Sequence, residues 1–316
     1  MKVLSVSAIG GNGPSPAIAD HIERLSSDFG VDFDHVHVHV DRRLAYSRAL
    51  TEMARKLRAD SYDLVHAFYG HCGLLGRLQR RAPLLVTFQG SDVLGGIDGA
   101  LHGRDGRIGR AVAGRADGVV VMSDEMATVL DRPDAHVIPF GVNTEIFRPS
   151  DRIAAQRALG MDPSVARVLF PYDPARVEKH HGIVAEAVAL VRDRGVDIEL
   201  ITLVGRERGE VASHMVACDA LALASDHEGS PVAVREALAC GLPVVSVDVG
   251  DVVSVLAGRS ACHIVERDPA AMADALHDVI ADRRRTPSEP DARLPDVAAT
   301  CRRLYAVYTT TAALRR

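Results

Sequence analysis

The stretch Asp219-Ala220-Leu221-Ala222-Leu223-Ala224, followed by Ser225-Asp226-His227-Glu228-Gly229-Ser230-Pro231 and then Val232-Ala233-Val234-Arg235-Glu236-Ala237-Leu238-Ala239-Cys240, decides the fold. A short unbroken apolar run reads as a strand buried on both faces, here 219–224. The next apolar run, at 243–247, reads the same way, and the segment between them reads as a helix over 231–240. Ser230 is the expected N-cap and Pro231 the first helical residue. Strand, helix and strand in this order form one βαβ unit, with Glu228 and Gly229 on the turn at the carboxyl end of its first strand.

The same alternation runs outward in both directions. In the second half, strands are expected at 167–172, 197–204, 219–224, 243–247 and 262–266, with helices near 178–195, 231–240, 251–257 and 269–283. In the first half, strands are expected at 2–8, 34–40, 62–67, 84–88, 118–122 and 136–140. Helices there fall near 16–28, 43–58, 73–81, 105–115 and 124–131. A βαβ series run twice predicts an α/β protein of two Rossmann-like domains. Phe147-Arg148-Pro149 closes the first series, and Ser150 or Asp151 is the next N-cap. The expected domains are 1–149, 150–295 and a last helix over 296–316. Val297, Cys301, Leu304 and Tyr308 give that helix an apolar stripe, and it is free to pack back on the first domain.

Composition excludes several classes. The chain has 316 residues, 47% of them hydrophobic and 25% charged, with a formal net charge of -5. No apolar run approaches the roughly 18 residues of a membrane span, and the start is too short for a secretion signal. Neither half has the basic excess of a nucleic-acid binder, so no nucleic-acid partner is expected. Tryptophan is absent and aromatics make up 4%, against a stacking-based binder. Five scattered cysteines without a C-x-x-C pair suggest reduced thiols, no zinc and a cytoplasmic location.

The chemistry-bearing residues lie at the turns. Gly10-Gly11-Asn12-Gly13-Pro14-Ser15-Pro16 and Gly229-Ser230-Pro231 both lead into helices, whose first N–H groups suit a phosphate. The first loop reads G-x-G-x-x-P and fails the dinucleotide fingerprint. Glu228 and Glu236 flank the start of one helix, and ionised carboxylates accept paired hydrogen bonds from a vicinal diol. A nucleotide sugar offers diols on either side of a diphosphate. Arg176 and Lys179, at a strand-to-helix junction, suit that dianion.

Glu228…Glu236 forms the E-x7-E pattern of retaining GT-B glycosyltransferases, and its surroundings resemble family 4. Val137-Ile138-Pro139-Phe140-Gly141-Val142-Asn143 with Phe147-Arg148-Pro149 is similar to that family's V-I-P-N-G-V-D…F-R-P segment. Glu236-Ala237-Leu238-Ala239-Cys240-Gly241-Leu242-Pro243-Val244-Val245 resembles its E-A-x-A-x-G-x-P-V-V stretch, and Arg176-Val177-Glu178-Lys179 its R…E-K segment. The resemblance implies a GT-B fold, with parallel sheets facing a central cleft, and a retaining, metal-independent hexosyltransferase. It implies that Arg176 and Lys179 bind the donor phosphates, that Glu236 holds the ribose and that Glu228 holds the transferred sugar. Gly11, Gly229, Ser230, Pro231 and Val232 would line the diphosphate, and Gly205 would turn at the nucleotide. The implied donor is a nucleotide-diphosphate sugar, UDP- or GDP-linked first, with no other cofactor and no metal. The acceptor is a hydroxyl of a sugar, a lipid-linked sugar or a small molecule, bound by the first domain.

Some residues depart from the family. Gln89, in Thr87-Phe88-Gln89-Gly90-Ser91-Asp92, replaces a histidine near the donor sugar; it can hydrogen-bond a hydroxyl but cannot carry a proton. Arg176 and Lys179 stand closer together than usual, and the segment between Val204 and Asp219 is short, predicting a smaller second sheet. The catalytic candidates are therefore Glu228, His71 and Gln89, with His71 at the carboxyl end of a strand. His35, His37 and His39 share a strand face, a poor metal geometry without ligands from other elements. Arg42, Arg43, Arg48, Arg55, Lys56 and Arg58 make the helix at 43–58 basic. An ordinary packed helix explains it best, and contact with the inner face of a membrane is the alternative. Two other functions fit the same scaffold: a nucleotide-sugar epimerase or hydrolase, and a non-catalytic sugar-nucleotide-binding protein.

Overall fold

In the computed structural model the two series become two parallel sheets, each within its own unit. Unit 1 comprises 1–141 and 297–316; unit 2 comprises 142–296. The structure describes residues 1–9, 15–39, 44–94, 104–282, 285–286 and 293–314.

Unit 1 runs β1 (Lys2–Ile9), α1 (Pro16–Phe29), β2 (Asp32–His39), α2 (Ala45–Ala59), β3 (Leu64–Phe68), α3 (Gly70–Gly76), β4 (Leu84–Thr87), α4 (Arg104–Ala113), β5 (Gly118–Val121), α5 (Asp124–Val129) and β6 (His136–Val137). Its sheet has the order β2-β1-β3-β4-β5-β6, with every pairing parallel. Unit 2 runs α6 (Arg152–Ala158), β7 (Ala166–Phe170), a 3-10 turn (Val177–Lys179), α7 (His181–Asp193), β8 (Ile198–Thr202), α8 (Arg208–Ala217), β9 (Ala220–Leu223), α9 (Val232–Ala239), β10 (Val244–Val247), α10 (Val252–Leu256), β11 (His263–Val265) and α11 (Pro269–Asp282). Its sheet has five strands in the order β11-β10-β9-β7-β8, one fewer than the first, and is also parallel.

Residues alternate between the two faces of a strand, so each sheet feeds two cores. On one face of unit 2, Leu169, Leu221, Leu223, Val244 and Val247 pack with Met215, Val216, Val234 and Leu238 of α8 and α9. On the other, Val168, Phe170, Ala222 and Val245 pack with Val184, Val188, Met272 and Leu276 of α7 and α11. Both faces being covered explains why these strands read as unbroken apolar runs.

Two local readings change, and one open alternative is decided. Unit 2 begins at Val142, ahead of the Pro149 join, because Val142 and Phe147 are buried in its core and Val142 bridges to Asp296. Asp151, and not Ser150, caps α6: its carboxylate accepts the Ala154 N–H at 3.0 Å. The short segment after Val204 holds a full helix, α8, fixed by the burial of Ala212, Met215 and Val216.

The last helix, α12 (Val297–Ala313), belongs to unit 1. Tyr305 stacks on Phe29 with ring centroids 4.7 Å apart, and the Tyr308 hydroxyl reaches His66 of β3 at 2.6 Å. A methyl group at Gly118 of β5 would stand 2.7 Å from Thr311 Oγ1, so glycine lets the helix lie close on the sheet.

Candidate functional site

In open α/β sheets, ligands gather beyond the carboxyl ends of strands where successive connections leave in opposite directions. In unit 2 that point lies between β7 and β9, since β8 lies on one side of β7 and β9 on the other. The segments after these two strands carry Arg176, Lys179 and Glu228. The 3-10 turn carries Lys179 inward until it is only 4% exposed, and its Nζ donates to Glu228 Oε1 at 2.5 Å. Tyr172 donates to the same oxygen at 3.1 Å and Ser225 at 2.9 Å. The Asp226 N–H bonds the Glu178 carbonyl at 2.9 Å, joining the two segments through their backbones.

The Lys179 ammonium lies 4.4 Å from the Tyr172 ring centroid and the Arg176 guanidinium 5.7 Å, so one phenol ring supports both cations. Burial, reinforced by the Glu228 charge, raises the Tyr172 phenol well above its ordinary value, so it stays protonated and donates. The two cations are not equivalent. Arg176 is half exposed and bonds Glu178 at 2.8 Å, whereas Lys179 is committed to Glu228.

Glu236 is buried on α9 and pairs with Arg208 of α8 at 3.1 Å. The Arg208 guanidinium lies 4.8 Å from the ring of the buried Phe147. Gly250, with φ +57°, backs the turn: a Cβ there would lie 2.8 Å from the Glu228 carbonyl oxygen and 2.9 Å from that of Gly229. Ser230 does not cap α9, contrary to expectation. Pro231 occupies the cap position, and Ser230 Oγ accepts from Arg235 Nε at 2.8 Å, so its oxygen is diverted from the helix. Arg235 also bonds Asp251 and the Arg293 carbonyl, tying Ser230, in the run Gly229, Ser230, Pro231 and Val232, to the following loops. Gly205, with φ +65°, makes the turn between β8 and α8 that a side chain would strain.

In unit 1 the corresponding switch lies between β1 and β3. His71 follows β3 in the first turn of α3, half-buried, its ring 5.8 Å from that of Tyr69 and 6.4 Å from that of Tyr46. Gln89 follows the neighbouring strand β4. The buried carboxylate of Asp92 joins the two loops, accepting N–H groups of Gly70 at 2.8 Å and of Gln89 and Gly90 at 2.9 Å. Gly11, Arg42 and Arg43 lie outside the described residues. His35 and His37 bond Ser5 and Ser7, and no cluster of three metal-ligating side chains occurs among the described residues. No described helix is long and apolar enough to cross a membrane.

Reading carboxylates and cations from the sequence singled out Glu228, Glu236, Arg176 and Lys179, but not Tyr172 and Ser225, which bond Glu228, Arg208, which pairs with Glu236, or Asp92, which joins the loops of His71 and Gln89. Tyr172 and Ser225 each lie two residues past a strand end, where site loops begin. That position was the available signal.

Residues 12–141 match the model of the "Glycosyl transferase 4-like domain", and residues 181–282 match that of "Glycosyl transferases group 1". The chain is 27% identical over 294 residues to D-inositol 3-phosphate glycosyltransferase 1 of Catenulispora acidiphila, a match covering 76% of this chain and 70% of that protein. It is 30% identical over 266 residues to the D-inositol 3-phosphate glycosyltransferase of Mycolicibacterium gilvum, covering 70% of this chain but only 59% of that one. Among solved structures, Anabaena Alr3699/HepE in complex with UDP and glucose superposes with a TM-score of 0.72 at 15% identity, over 98% of this chain and 100% of that one. Sucrose-phosphate synthase of Thermosynechococcus elongatus gives 0.69 at 17% identity, over 100% and 97%.

Proposed function

This chain belongs to the GT-B glycosyltransferases of family 4, and we propose that it moves a sugar from a nucleotide-sugar donor to an acceptor hydroxyl with retention of configuration. The observation that carries the reading is the meeting of Lys179 and Glu228 at the switch point between β7 and β9, with Glu236 on the helix that follows.

Each part has a task that its chemistry suits. Glu236 takes the ribose hydroxyls, held in place by Arg208. Glu228 takes hydroxyls of the transferred sugar. An ammonium has three N–H donors, so Lys179 can keep Glu228 and also take a phosphate oxygen. Arg176, half exposed, turns its guanidinium to the diphosphate when it arrives. Together with the backbone N–H groups from Gly229 to Val232, these cations stabilise the negative charge that develops as the diphosphate leaves. That stabilisation uses no metal. The acceptor is the ligand of unit 1, near His71 and Gln89, and the complex of HepE with UDP and glucose supports a UDP-linked donor first.

The test is turnover in EDTA with UDP-, GDP- and ADP-linked sugars, each with and without a panel of acceptors that includes inositol phosphate, simple sugars and lipid-linked sugars. The proposal expects diphosphate release that depends on acceptor, and a product with the donor's anomeric configuration by proton NMR. Donor consumption without any acceptor would instead identify an epimerase or hydrolase. Binding without turnover would identify a non-catalytic member.

A further inference from the structure

Among the described residues, all the side-chain donors that reach Glu228 bond the same oxygen. Tyr172, Ser225 and Lys179 bond Oε1 at 3.1, 2.9 and 2.5 Å, and no bond to Oε2 occurs among the described residues. A carboxylate oxygen offers about two lone-pair directions, so these donors more than fill Oε1. They come from three places, the exit of β7, the 3-10 turn and the exit of β9, so no single turn produces the arrangement. Ser225 is fully buried, and the Tyr172 ring is fixed under two cations. Glu228 keeps 14% of its side-chain exposure.

We infer that Tyr172 and Ser225 are positioning residues that pin Glu228 by Oε1, so that Oε2 is the oxygen presented to a hydroxyl of the transferred sugar. The inference rests on the donor-site reading and names the device by which that site tells a nucleotide sugar from a bare nucleotide. Lys179 divides its three N–H donors between Glu228 and the donor's phosphate. The two neutral hydroxyls are given to Glu228 alone and fix the direction of its carboxylate. Pinning contributes only when a sugar is attached to the diphosphate, so its loss should appear as lost discrimination and not as a general loss of binding.

The test is calorimetric titration of the full chain with three pairs: UDP and UDP-glucose, GDP and GDP-mannose, ADP and ADP-glucose. The proteins are wild type, Tyr172→Phe, Ser225→Ala, Glu228→Ala and the double variant Tyr172→Phe/Glu228→Ala. For the pair that wild type binds tightest, Tyr172→Phe and Ser225→Ala should each weaken the sugar nucleotide roughly three- to tenfold, within the range of one ordinary hydrogen bond. Each should leave the free diphosphate within about twofold. Tyr172→Phe should add nothing in the Glu228→Ala background, where there is no carboxylate to pin. Equal weakening of both members of the pair, or no change in either, overturns the pinning role while leaving the donor site standing. A wild type that binds none of the six ligands overturns the donor-site reading and this inference with it.

Discussion

His66 shows how a single buried side chain sets a pH limit on the fold. It lies fully buried on β3, with Nδ1 at 2.6 Å from the Tyr308 hydroxyl and Nε2 at 2.7 Å from Thr87 Oγ1. Hydroxyls can donate or accept, so together they satisfy a neutral imidazole, which has one donor and one acceptor. Burial pushes its pKa from 6.5 down to about 3. The folded-state value lies below the unfolded one. The contribution to stability is therefore complete above about pH 6.5 and is lost as pH falls toward about 3, at up to about 1.4 kcal/mol per pH unit. Urea denaturation of His66→Gln between about pH 7 and 4 should show a shallower decline than wild type. An equally steep decline would remove His66 from the account. At this scale the sequence showed which side chains carry charge, but not which neutral groups turn toward them. Glu228 and Lys179 were legible because carboxylate and ammonium types suit a sugar and a phosphate. Tyr172 and Ser225 were not, because a tyrosine or serine beyond a strand end reads the same whether it points to solvent or to a carboxylate.

At the scale of elements, the turn after β10 packs its backbone directly against the Glu228 turn at Gly250. Gly250→Ala should cost about 1–2 kcal/mol from the left-handed backbone alone. It should also weaken donor binding, because the Glu228 and Gly229 carbonyls must move away from the new methyl group. Gly160→Ala is the control. Its φ is +65° with open space around the position, so it should lose comparable stability and keep donor affinity. Urea denaturation and calorimetric titration of both variants check this, and equal donor affinity in the two would show that the Gly250 contact does not matter. The central strands β3, β4, β5, β9 and β10 were legible because burial on both faces leaves short, mainly apolar runs. Helix α8 was not legible: Gly209, Ser213 and His214 interrupt its pattern, and packing of Ala212, Met215 and Val216 against the sheet supplies what propensity does not. The cap of α9 was misread because Arg235, a turn further on, takes the Ser230 oxygen.

For the whole molecule, the repeated βαβ series made two Rossmann-like halves legible from the sequence; of the family 4 motifs, that at 228–245 lies within the matched stretch 181–282, that at 137–149 overlaps the end of the matched stretch 12–141, and that at 176–179 lies between the two. The return of α12 to unit 1 was legible only as a helix with no strand after it; its partners Phe29 and His66 lie far back in the chain and leave no local trace. The central claim is that unit 2 holds a nucleotide sugar through Glu228, Glu236 and Lys179. Thermal unfolding of wild type and Glu236→Ala with UDP-, GDP-, ADP- and dTDP-linked sugars tests it most directly. A ligand present at about 100 times its Kd stabilises by about 2.7 kcal/mol, which for domains of this size raises Tm by roughly 5–10 °C. The account predicts such a rise with at least one sugar nucleotide in wild type and its loss in Glu236→Ala. No rise with any of the four, or a rise that survives in Glu236→Ala, would contradict it.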